Sequence, residues 1–312
     1  MLTATDIYSE FFKIKDATSY DTVSEQFDAF TRMLSLPFVE RMIHIAKLQP
    51  LDRILDVGTG TGIVALNASR AVPKGGVTGV DLSEGMLAVA RQNAARYALN
   101  GELQFARMDA EALRFGDQSF DVVLSLFALL HFPNPSKALT EMFRVLRPGG
   151  RIVLAVGSGP SLLSLATVAE GVRHLHRLIL QRAGRLLVAP GFLDDLVNKH
   201  LPGAIHKEKS ALAHAGSNLS NDMLALLRAA GFTRIQTMWY GREKYLDSPE
   251  DFWGIQSTFS SVARKRIADG TQDKVSALRE EFFHICGQLQ ARHGRFVYPM
   301  GAFFVKAHRP VR

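Results

Sequence analysis

The stretch Ile54-Leu55-Asp56-Val57-Gly58-Thr59-Gly60-Thr61-Gly62 decides the fold of this 312-residue chain. Its apolar first half predicts a short buried strand, and its second half predicts a tight glycine turn. A helix is predicted to open at about Gly62, where apolar residues begin to recur at helical spacing. Glycine adopts positive φ and lets a ligand approach the backbone, and a helix N-terminus attracts negative charge. The unit therefore predicts a seat for the anionic end of a nucleotide-like cofactor.

The glycine spacing separates two classes of cofactor. The dinucleotide fingerprint is G-x-G-x-x-G, whereas this loop has Gly58, Gly60 and Gly62, with Ile63 where the third dinucleotide glycine belongs. An acidic residue, Asp56, stands two positions before the first glycine. The pattern disfavours nicotinamide cofactors. An NAD-dependent oxidoreductase stays open as an alternative, because it uses the same strand–loop–helix unit. A glycine turn alone can also be purely structural.

Composition is that of a soluble globular protein, with 47% hydrophobic and 21% charged residues. One cysteine, Cys286, excludes a disulfide framework and a cysteine-based zinc site, and it fits a cytoplasmic protein. The uncharged run 152–169 is interrupted by Gly157-Ser158-Gly159-Pro160, so no transmembrane segment is predicted. The net charge of +7 is spread over scattered basic residues. We therefore expect no nucleic-acid partner.

From residue 53 onward, strand and helix patterns alternate, which predicts an α/β fold with a doubly wound, mostly parallel sheet. Strands are predicted over 53–57, 77–80, 103–107, 120–124 and 151–156. Ligands of such sheets bind beyond the carboxyl ends of the strands. The glycine loop with Thr59 follows the first strand, Asp81 ends the second, Asp109 follows the third, and Ser125 begins the segment after the fourth. These positions are expected to converge on one crevice.

Two acidic residues are candidates for the nucleoside part of the cofactor. Asp81 lies 19 residues after Gly62, about the separation of an acid that accepts hydrogen bonds from ribose hydroxyls. Asp109 is a candidate acceptor for an adenine amino group. Leu82 and Met86 are candidates to sandwich the adenine, although Met86 equally suits a helix core.

Five motifs in order make the pattern specific. They are ILDVGTGTG (54–62), VTGVDLSEGML (77–87), ARMDAEAL (106–113), FDVVLSLFALLHF (120–132) and EMFRVLRPGGRIVLA (141–155). Together they resemble the ubiquinone/menaquinone-biosynthesis-like (type 11) branch of class I S-adenosylmethionine (SAM)-dependent methyltransferases. The resemblance covers about residues 50–156. It implies a seven-stranded Rossmann-like sheet with an antiparallel last strand, and SAM as cofactor, with S-adenosylhomocysteine as product. By the same resemblance, Asp56 and the loop glycines surround the methionine end, Asp81 the ribose, and Asp109 with Ala110 the adenine.

The remaining segments are expected to frame this core. We expect an N-terminal helical cap over 1–48, the core over 49–157 and 218–245, and the last strand and tail over 298–312. Helical insertions are expected over 158–217 and 246–297. In the cap, Tyr20 and Phe27 are candidates to cover the cofactor or substrate. The first insertion contains an amphipathic stretch with apolar residues at helical spacing: Leu165, Val168, Val172, Leu175, Ile179 and Leu186. It predicts a lid over an apolar substrate, a helix packed on the core with a solvated basic face, or a membrane-surface helix.

Methyl transfer needs the acceptor atom held in line with the activated methyl group, and a base when that atom bears an acidic proton. His131 is the candidate base, with Tyr20, His174 and His176 as weaker candidates. The two last-named histidines are two residues apart, so we expect no metal site. The apolar insertions favour an apolar or aromatic small-molecule acceptor, methylated on oxygen or carbon. A methyltransferase acting on a macromolecule and a non-enzymatic binding module are also compatible with the pattern, and a homodimer stays open.

Overall fold

The computed structural model describes residues 4–96, 102–158, 165–189, 191–202 and 219–311. These residues fall into two compact units. The first unit contains the described residues of 4–158, 219–239 and 302–311. The second contains those of 165–202 and 240–301. The chain crosses from one unit to the other within its last two strands.

The first unit begins with two helices, α1 (Ala4–Asp21) and α2 (Ser24–Ala46). The alternating segment that follows contains β1 (Arg53–Val57), α3 (Ile63–Ala71), β2 (Gly76–Asp81), α4 (Glu84–Arg96), β3 (Glu102–Arg107), β4 (Phe120–Leu126), a 3-10 turn (Leu129–His131), α5 (Pro135–Val145) and β5 (Leu146–Gly157). The second unit contributes α6 (Leu165–Arg182), β6 (Leu186–Val188) and α7 (Gly191–His200). The rest of the chain forms α8 (Leu219–Ala229), β7 (Thr233–Leu246), α9 (Pro249–Phe259), α10 (Ser261–Asp269), α11 (Gln272–Ala291) and β8 (Arg295–His308).

The sheet of the first unit has the strand order β3-β2-β1-β4-β5-β8, and β7 pairs with β8. Strands β1 to β5 run parallel, whereas β8 is antiparallel to β5. The predicted seven-stranded, mostly parallel sheet with an antiparallel last strand is thus confirmed. The beginning of β8 also pairs in parallel with β6, through Leu186↔Arg295 to Val188↔Val297. This second pairing makes β8 longer than the strand the sequence suggests.

The core of the sheet is built by apolar strand residues that are buried on both faces. Ile54, Leu55 and Val57 of β1 are fully buried, as is the middle of β4 from Val122 to Leu124. Because β1 to β4 are parallel, their carboxyl ends lie along one edge of the sheet. This edge carries the glycine loop, Asp81 and the turn that contains His131.

Two features of the first unit differ from the sequence expectation. Strand β4 continues to Leu126, so Ser125 lies inside the strand and does not begin the next segment. The helical N-terminal segment is divided, since α1 ends at Asp21 and α2 begins at Ser24. Helix α2 packs along the sheet through Phe38, which stacks on Phe304 of β8 with ring centroids 6.5 Å apart.

The second unit has a core of aromatic rings. Phe252 of α9 and Phe282 of α11 are fully buried, with ring centroids 5.8 Å apart. Phe296 of β8 stacks on Phe252 at 4.9 Å. From the sequence, the apolar content of the insertions favours an apolar or aromatic acceptor. The structure places the two central rings in the core.

Helix α6 turns one basic residue inward and part of its apolar side outward. Its basic residue Arg177 is buried, whereas Val168, Val172 and Leu175 are exposed. The interpretation of α6 as a helix packed on the core with a solvated basic face therefore holds only in part, because Arg177 is buried while Arg182 and Arg185 are exposed. Leu186, which the pattern assigned to the same helix, lies in β6. In the part of the chain that the structure describes, no helix is both long and apolar enough to cross a bilayer.

Candidate functional site

The glycine loop lies across the end of β2. The amide N–H groups of Gly58 and Thr59 both donate to the carbonyl of Val80, at 2.8 and 3.0 Å. Gly58 and Gly62 have φ of +71° and +85°, a region that favours glycine. A Cβ on Gly58 would come within 2.2 Å of the Cβ of Ala128. The backbone therefore turns in a space that no larger residue fits.

Asp56 lies beneath this loop and is almost fully buried. The hydroxyl of Thr59 donates to Asp56 Oδ2 at 2.6 Å. The other oxygen, Oδ1, is buried without a hydrogen-bond partner among the described residues. Burial raises the pKa of Asp56 to about 7, although the Thr59 hydroxyl and the Ala65 backbone amide oppose the rise. A buried carboxylate with an unmatched oxygen fits a cationic ligand group.

Asp81 connects the end of β2 to the loop. Its Oδ2 accepts from the Gly60 amide at 2.8 Å, and its Oδ1 accepts from the Ser83 amide at 3.0 Å. The side chain is half-buried, and burial raises its pKa, although the backbone amides that donate to it oppose the rise. Each carboxylate oxygen can accept a second hydrogen bond. The remaining lone pairs are thus available for ribose hydroxyls.

Asp109 is engaged by a residue that sequence reasoning missed. Lys13 of α1 donates to Asp109 Oδ2 at 2.7 Å and pairs with Glu111 Oε2 at 2.9 Å. Burial alone would lower the pKa of Lys13, but its hydrogen bonds and charge interactions with the two carboxylates outweigh it and raise the pKa. The structure therefore places the predicted adenine acceptor under the N-terminal helix.

The apolar candidates lie at different depths. Met86 is buried in the first turns of α4, and Ala110 is also buried, while Leu82 is half-buried. Ser125 is buried too, and its hydroxyl donates to the carbonyl of Val57 at 2.8 Å. That bond joins β4 to the last residue of β1, so this hydroxyl is used to hold the strand that leads into the loop.

The two candidates for catalysis lie together, although they are 111 positions apart in the chain. The hydroxyl of Tyr20 is 3.5 Å from Nε2 of His131, and their rings meet edge to face. The other ring nitrogen, Nδ1, is 3.3 Å from Oδ2 of Asp16. Phe27 packs edge to face on Tyr20, with ring centroids 5.7 Å apart. When protonated, His131 lies close enough to Asp81 for its positive charge to oppose the rise in pKa that burial causes there.

The partner of Nδ1 determines what Nε2 can do. Asp16 is nearly buried, and an ionised carboxylate only accepts hydrogen bonds, so an ionised Asp16 selects the tautomer of neutral His131 that carries its proton on Nδ1. Nε2 then presents a lone pair towards Tyr20. Sequence reasoning missed Asp16 as well as Lys13. The available signal was their spacing, because Lys13, Asp16 and Tyr20 stand at i, i+3 and i+7 on one face of α1.

The residues of this edge fit the cofactor implied by the resemblance. SAM carries a cationic amino group, a ribose diol and an adenine. The cationic amino group suits Asp56 Oδ1, which has no hydrogen-bond partner among the described residues. The ribose diol suits the half-buried Asp81 beside the glycine loop. Within the described ranges, no group of three or more His, Cys, Asp and Glu side chains could hold a metal ion.

Comparisons with known proteins agree with this geometry. A family model described as a methyltransferase domain matches residues 55–154. Demethylmenaquinone methyltransferase of Thermus thermophilus is 32% identical over 227 residues, which are 71% of this chain and 95% of the relative. A ubiquinone/menaquinone biosynthesis C-methyltransferase of Geotalea daltonii is 35% identical, over 45% of this chain and 62% of the relative.

A solved structure supports the fold. Phosphoethanolamine N-methyltransferase 2 of Haemonchus contortus, in complex with S-adenosylhomocysteine, superimposes with a TM-score of 0.52 at 19% identity. The match covers 93% of this chain and 58% of that chain.

Proposed function

Because this chain belongs to the class I SAM-dependent methyltransferase family, we propose that it methylates an aromatic, hydroxyl-bearing small molecule of the reduced-quinone type. Methylation at a ring carbon is favoured over methylation at oxygen. The names of the relatives, demethylmenaquinone methyltransferase and ubiquinone/menaquinone biosynthesis C-methyltransferase, support this acceptor. The observation that carries the proposal is the group formed by Asp16, Tyr20 and His131 beside Asp81.

The proposed cofactor site uses the loop and the strand ends. Asp56 Oδ1 takes the amino group of the methionine end, and Asp81 takes the ribose hydroxyls. Asp109 takes the adenine amino group once Lys13 moves away from it. When bound, SAM supplies an activated methyl group on its sulfonium.

The proposed role of His131 is to remove a proton from the acceptor. A phenolic hydroxyl is a poor nucleophile, but its phenolate delivers negative charge to the ring carbons beside it. Tyr20 donates its proton to Nε2 of His131 and accepts the proton of the acceptor hydroxyl, so that the ring becomes electron-rich as the new C–C bond forms. The ring carbon then loses its hydrogen as a proton to water. The ring oxygen takes back a proton from Tyr20, which His131 reprotonates, so the aromatic ring and its hydroxyl are restored. Asp16 holds the tautomer of His131 that makes Nε2 the acceptor.

Two competing acceptor classes fit this geometry less well. An amine acceptor would attack with its own lone pair and would need no carboxylate-held histidine. A nucleic-acid substrate would call for a basic surface with exposed stacking rings. In the part of the first unit that is described, the rings beside the crevice, Tyr20 and Phe27, pack on each other.

The test is a methylation assay with isotopically labelled SAM and three acceptor classes: a reduced quinone, a simple catechol and a primary amine. Product NMR distinguishes a methyl group on carbon from one on oxygen. We expect ring methylation of the quinol, and a loss of kcat of about 100-fold or more in His131→Ala. The dissociation constant of S-adenosylhomocysteine should stay unchanged in that variant.

His174→Ala is the matched control, because His174 is an exposed histidine on α6 in the other unit. Methylation of the amine alone would overturn the proposed acceptor. Equal kcat in wild type, His131→Ala and His174→Ala would overturn the proposed base.

A further inference from the structure

Helix α6 directs Glu170 and Arg177 towards its own unit, whereas Arg182 at its C-terminal end is exposed. Glu170 accepts from Arg173 Nε at 2.8 Å and from an Arg177 guanidinium nitrogen at 2.8 Å. The same Arg177 donates to Glu243 of β7. Arg177 is buried, and these ion pairs fix the rotation of the helix about its axis. The inward face is thus polar, which is the reverse of an ordinary surface helix.

The outward face of α6 is an apolar stripe formed by Val168, Val172, Leu175 and Ile179. Each of these side chains is 57–66% exposed. Their spacing of four, three and four residues keeps them in one row, about 16 Å long at 1.5 Å per residue. Single exposed apolar residues are common on protein surfaces, but a continuous row marks an interaction surface.

The charges around the stripe indicate what covers it. Arg182 and Arg185 are exposed at the C-terminal end of the helix. The one acidic residue within α6, Glu170, is held on the inward side by its two arginines. A second α6 laid on the stripe would therefore bring apolar side chains and arginines, but no carboxylate to neutralise the cations. An anionic lipid surface supplies both an apolar layer and negative charge.

We propose that α6 docks on an anionic lipid surface, with the apolar stripe at the boundary of the acyl chains and Arg182 and Arg185 among the lipid phosphates. Long arginine side chains reach the headgroups while the neighbouring valines and leucines enter the apolar layer. This docking is a property of the second unit and does not depend on the identity of the methyl acceptor. It would bring the protein to a surface in which apolar small molecules dissolve.

The experiment is vesicle flotation of the full chain with quinone-free vesicles. One set contains phosphatidylcholine alone, and the other contains phosphatidylcholine with phosphatidylglycerol. We expect the wild type to float with the anionic vesicles and to be released in part by salt. The double variant Val172→Glu/Leu175→Glu should bind the anionic vesicles at least about tenfold more weakly, since two side chains that would enter the apolar layer of the lipid are lost. Arg182→Ala should bind about fivefold more weakly.

Val262→Glu is the matched control, because Val262 is an exposed apolar residue of α10 in the same unit. It should float like the wild type. Circular dichroism and titration with S-adenosylhomocysteine verify that each variant is folded. A folded wild type that floats with the anionic vesicles but does not bind S-adenosylhomocysteine would reject the cofactor site and leave the docking proposal supported.

Three results would overturn the docking proposal. The first is a wild type that floats with neither vesicle. The second is equal flotation of the stripe variant and the Val262→Glu control. The third is a wild-type dimer that Leu175→Glu dissociates, with no vesicle binding in either form, since the stripe would then be an interface between copies.

Discussion

Binding of the cofactor is expected to release a proton from Asp56. In the unliganded protein the pKa of this carboxyl is about 7, because it is buried. Its Oδ1 lacks a hydrogen-bond partner among the described residues, and the proposed site places the cationic amino group of the ligand against it. A positive charge there favours the ionised carboxylate. Binding below pH 7 must therefore expel the proton that the free protein holds.

The size of the effect follows from the pKa. With a value of 7, Asp56 is protonated in about 0.9 of the molecules at pH 6 and in about 0.1 at pH 8. The number of protons released per ligand should fall from about 0.9 to about 0.1 over this range. Calorimetric titration with S-adenosylhomocysteine, repeated in buffers of different ionisation enthalpy, measures this number directly.

The Asp56→Asn variant isolates the carboxyl responsible. The pKa of Asp81 is also raised, so part of any proton release in wild type can come from that neighbour. The difference between wild type and Asp56→Asn removes this contribution. An identical proton count in the two proteins at pH 6 would refute the assignment of Asp56 to the amino end of the ligand.

The same pKa makes a separate prediction for the unliganded protein. The ordinary pKa of an aspartate is 3.8, and that of folded Asp56 is about 7, so the folded state binds the proton more tightly than the unfolded state. The stabilisation is complete below about pH 4 and is lost as the pH rises through 7. Three pKa units correspond to about 4 kcal/mol at most. About two of these pKa units lie between pH 5 and pH 7, so denaturant unfolding between pH 5 and pH 8 should show a loss of about 3 kcal/mol in wild type. The profile of Asp56→Asn should be flatter.

Substitutions at four further positions test other parts of the site, two of them with a matched control substitution. Gly58→Ala should lower the free energy of unfolding by about 1–3 kcal/mol in a denaturant assay, because its Cβ would meet the Cβ of Ala128 at 2.2 Å. Gly287→Ala is the control: Gly287 lies in α11 with open space around it, so this change should stabilise the protein by up to about 1 kcal/mol in the same assay. Asp81→Ala should weaken S-adenosylhomocysteine binding by about 1–3 kcal/mol in calorimetry, and unchanged affinity in a folded variant would reject the ribose assignment. Lys13→Met should destabilise the fold by about 3 kcal/mol, since Glu111 is buried beside it, while Lys13→Arg should keep most of the stability. Asp16→Asn should lower kcat about tenfold or more without changing S-adenosylhomocysteine affinity, and an unaltered kcat would show that Asp16 does not position His131.

The sheet and the loop were predictable because their determinants are local. Glycines that take positive φ, apolar strands of five or six residues and acids at strand ends are written directly in the order of the residues. The resemblance of five motifs then implied a seven-stranded sheet with an antiparallel last strand, and β8 is antiparallel to β5. Strand β6 was not predicted, because three residues that pair with the distant β8 leave no pattern of their own.

The N-terminal contribution to the site was only half predictable. Tyr20 and Phe27 drew attention as rings, but Lys13 and Asp16 looked like ordinary charges on the surface of a helix. Their roles depend on which face of α1 meets the sheet edge, and that face is set by residues about a hundred positions away. Helix α6 shows the same limit, because an amphipathic pattern defines two faces without saying which one turns inward.

Helix α1 joins the proposed cofactor end of the site to the proposed acceptor end. Lys13 pairs with Asp109 at one end, and Tyr20 contacts His131 at the other, seven residues and about 10 Å further along the helix. The last residue of α1, Asp21, accepts from the Ser83 hydroxyl at 2.5 Å and from the Gly85 amide at 2.8 Å, which anchors the helix to the start of α4.

One helix carries all these contacts, so a rigid-body movement of α1 would change them together. A shift of α1 large enough to uncover Asp109 for an adenine would also draw Asp16 and Tyr20 away from His131. The proton acceptor would then be complete only when α1 is seated, either before the cofactor enters or after the helix has closed again over it. Asp21→Ala removes the hydrogen bonds that hold α1 to Ser83 and Gly85. It should consequently raise the rate of S-adenosylhomocysteine release and lower kcat. A variant with faster release and wild-type kcat would show that the two ends of α1 act separately.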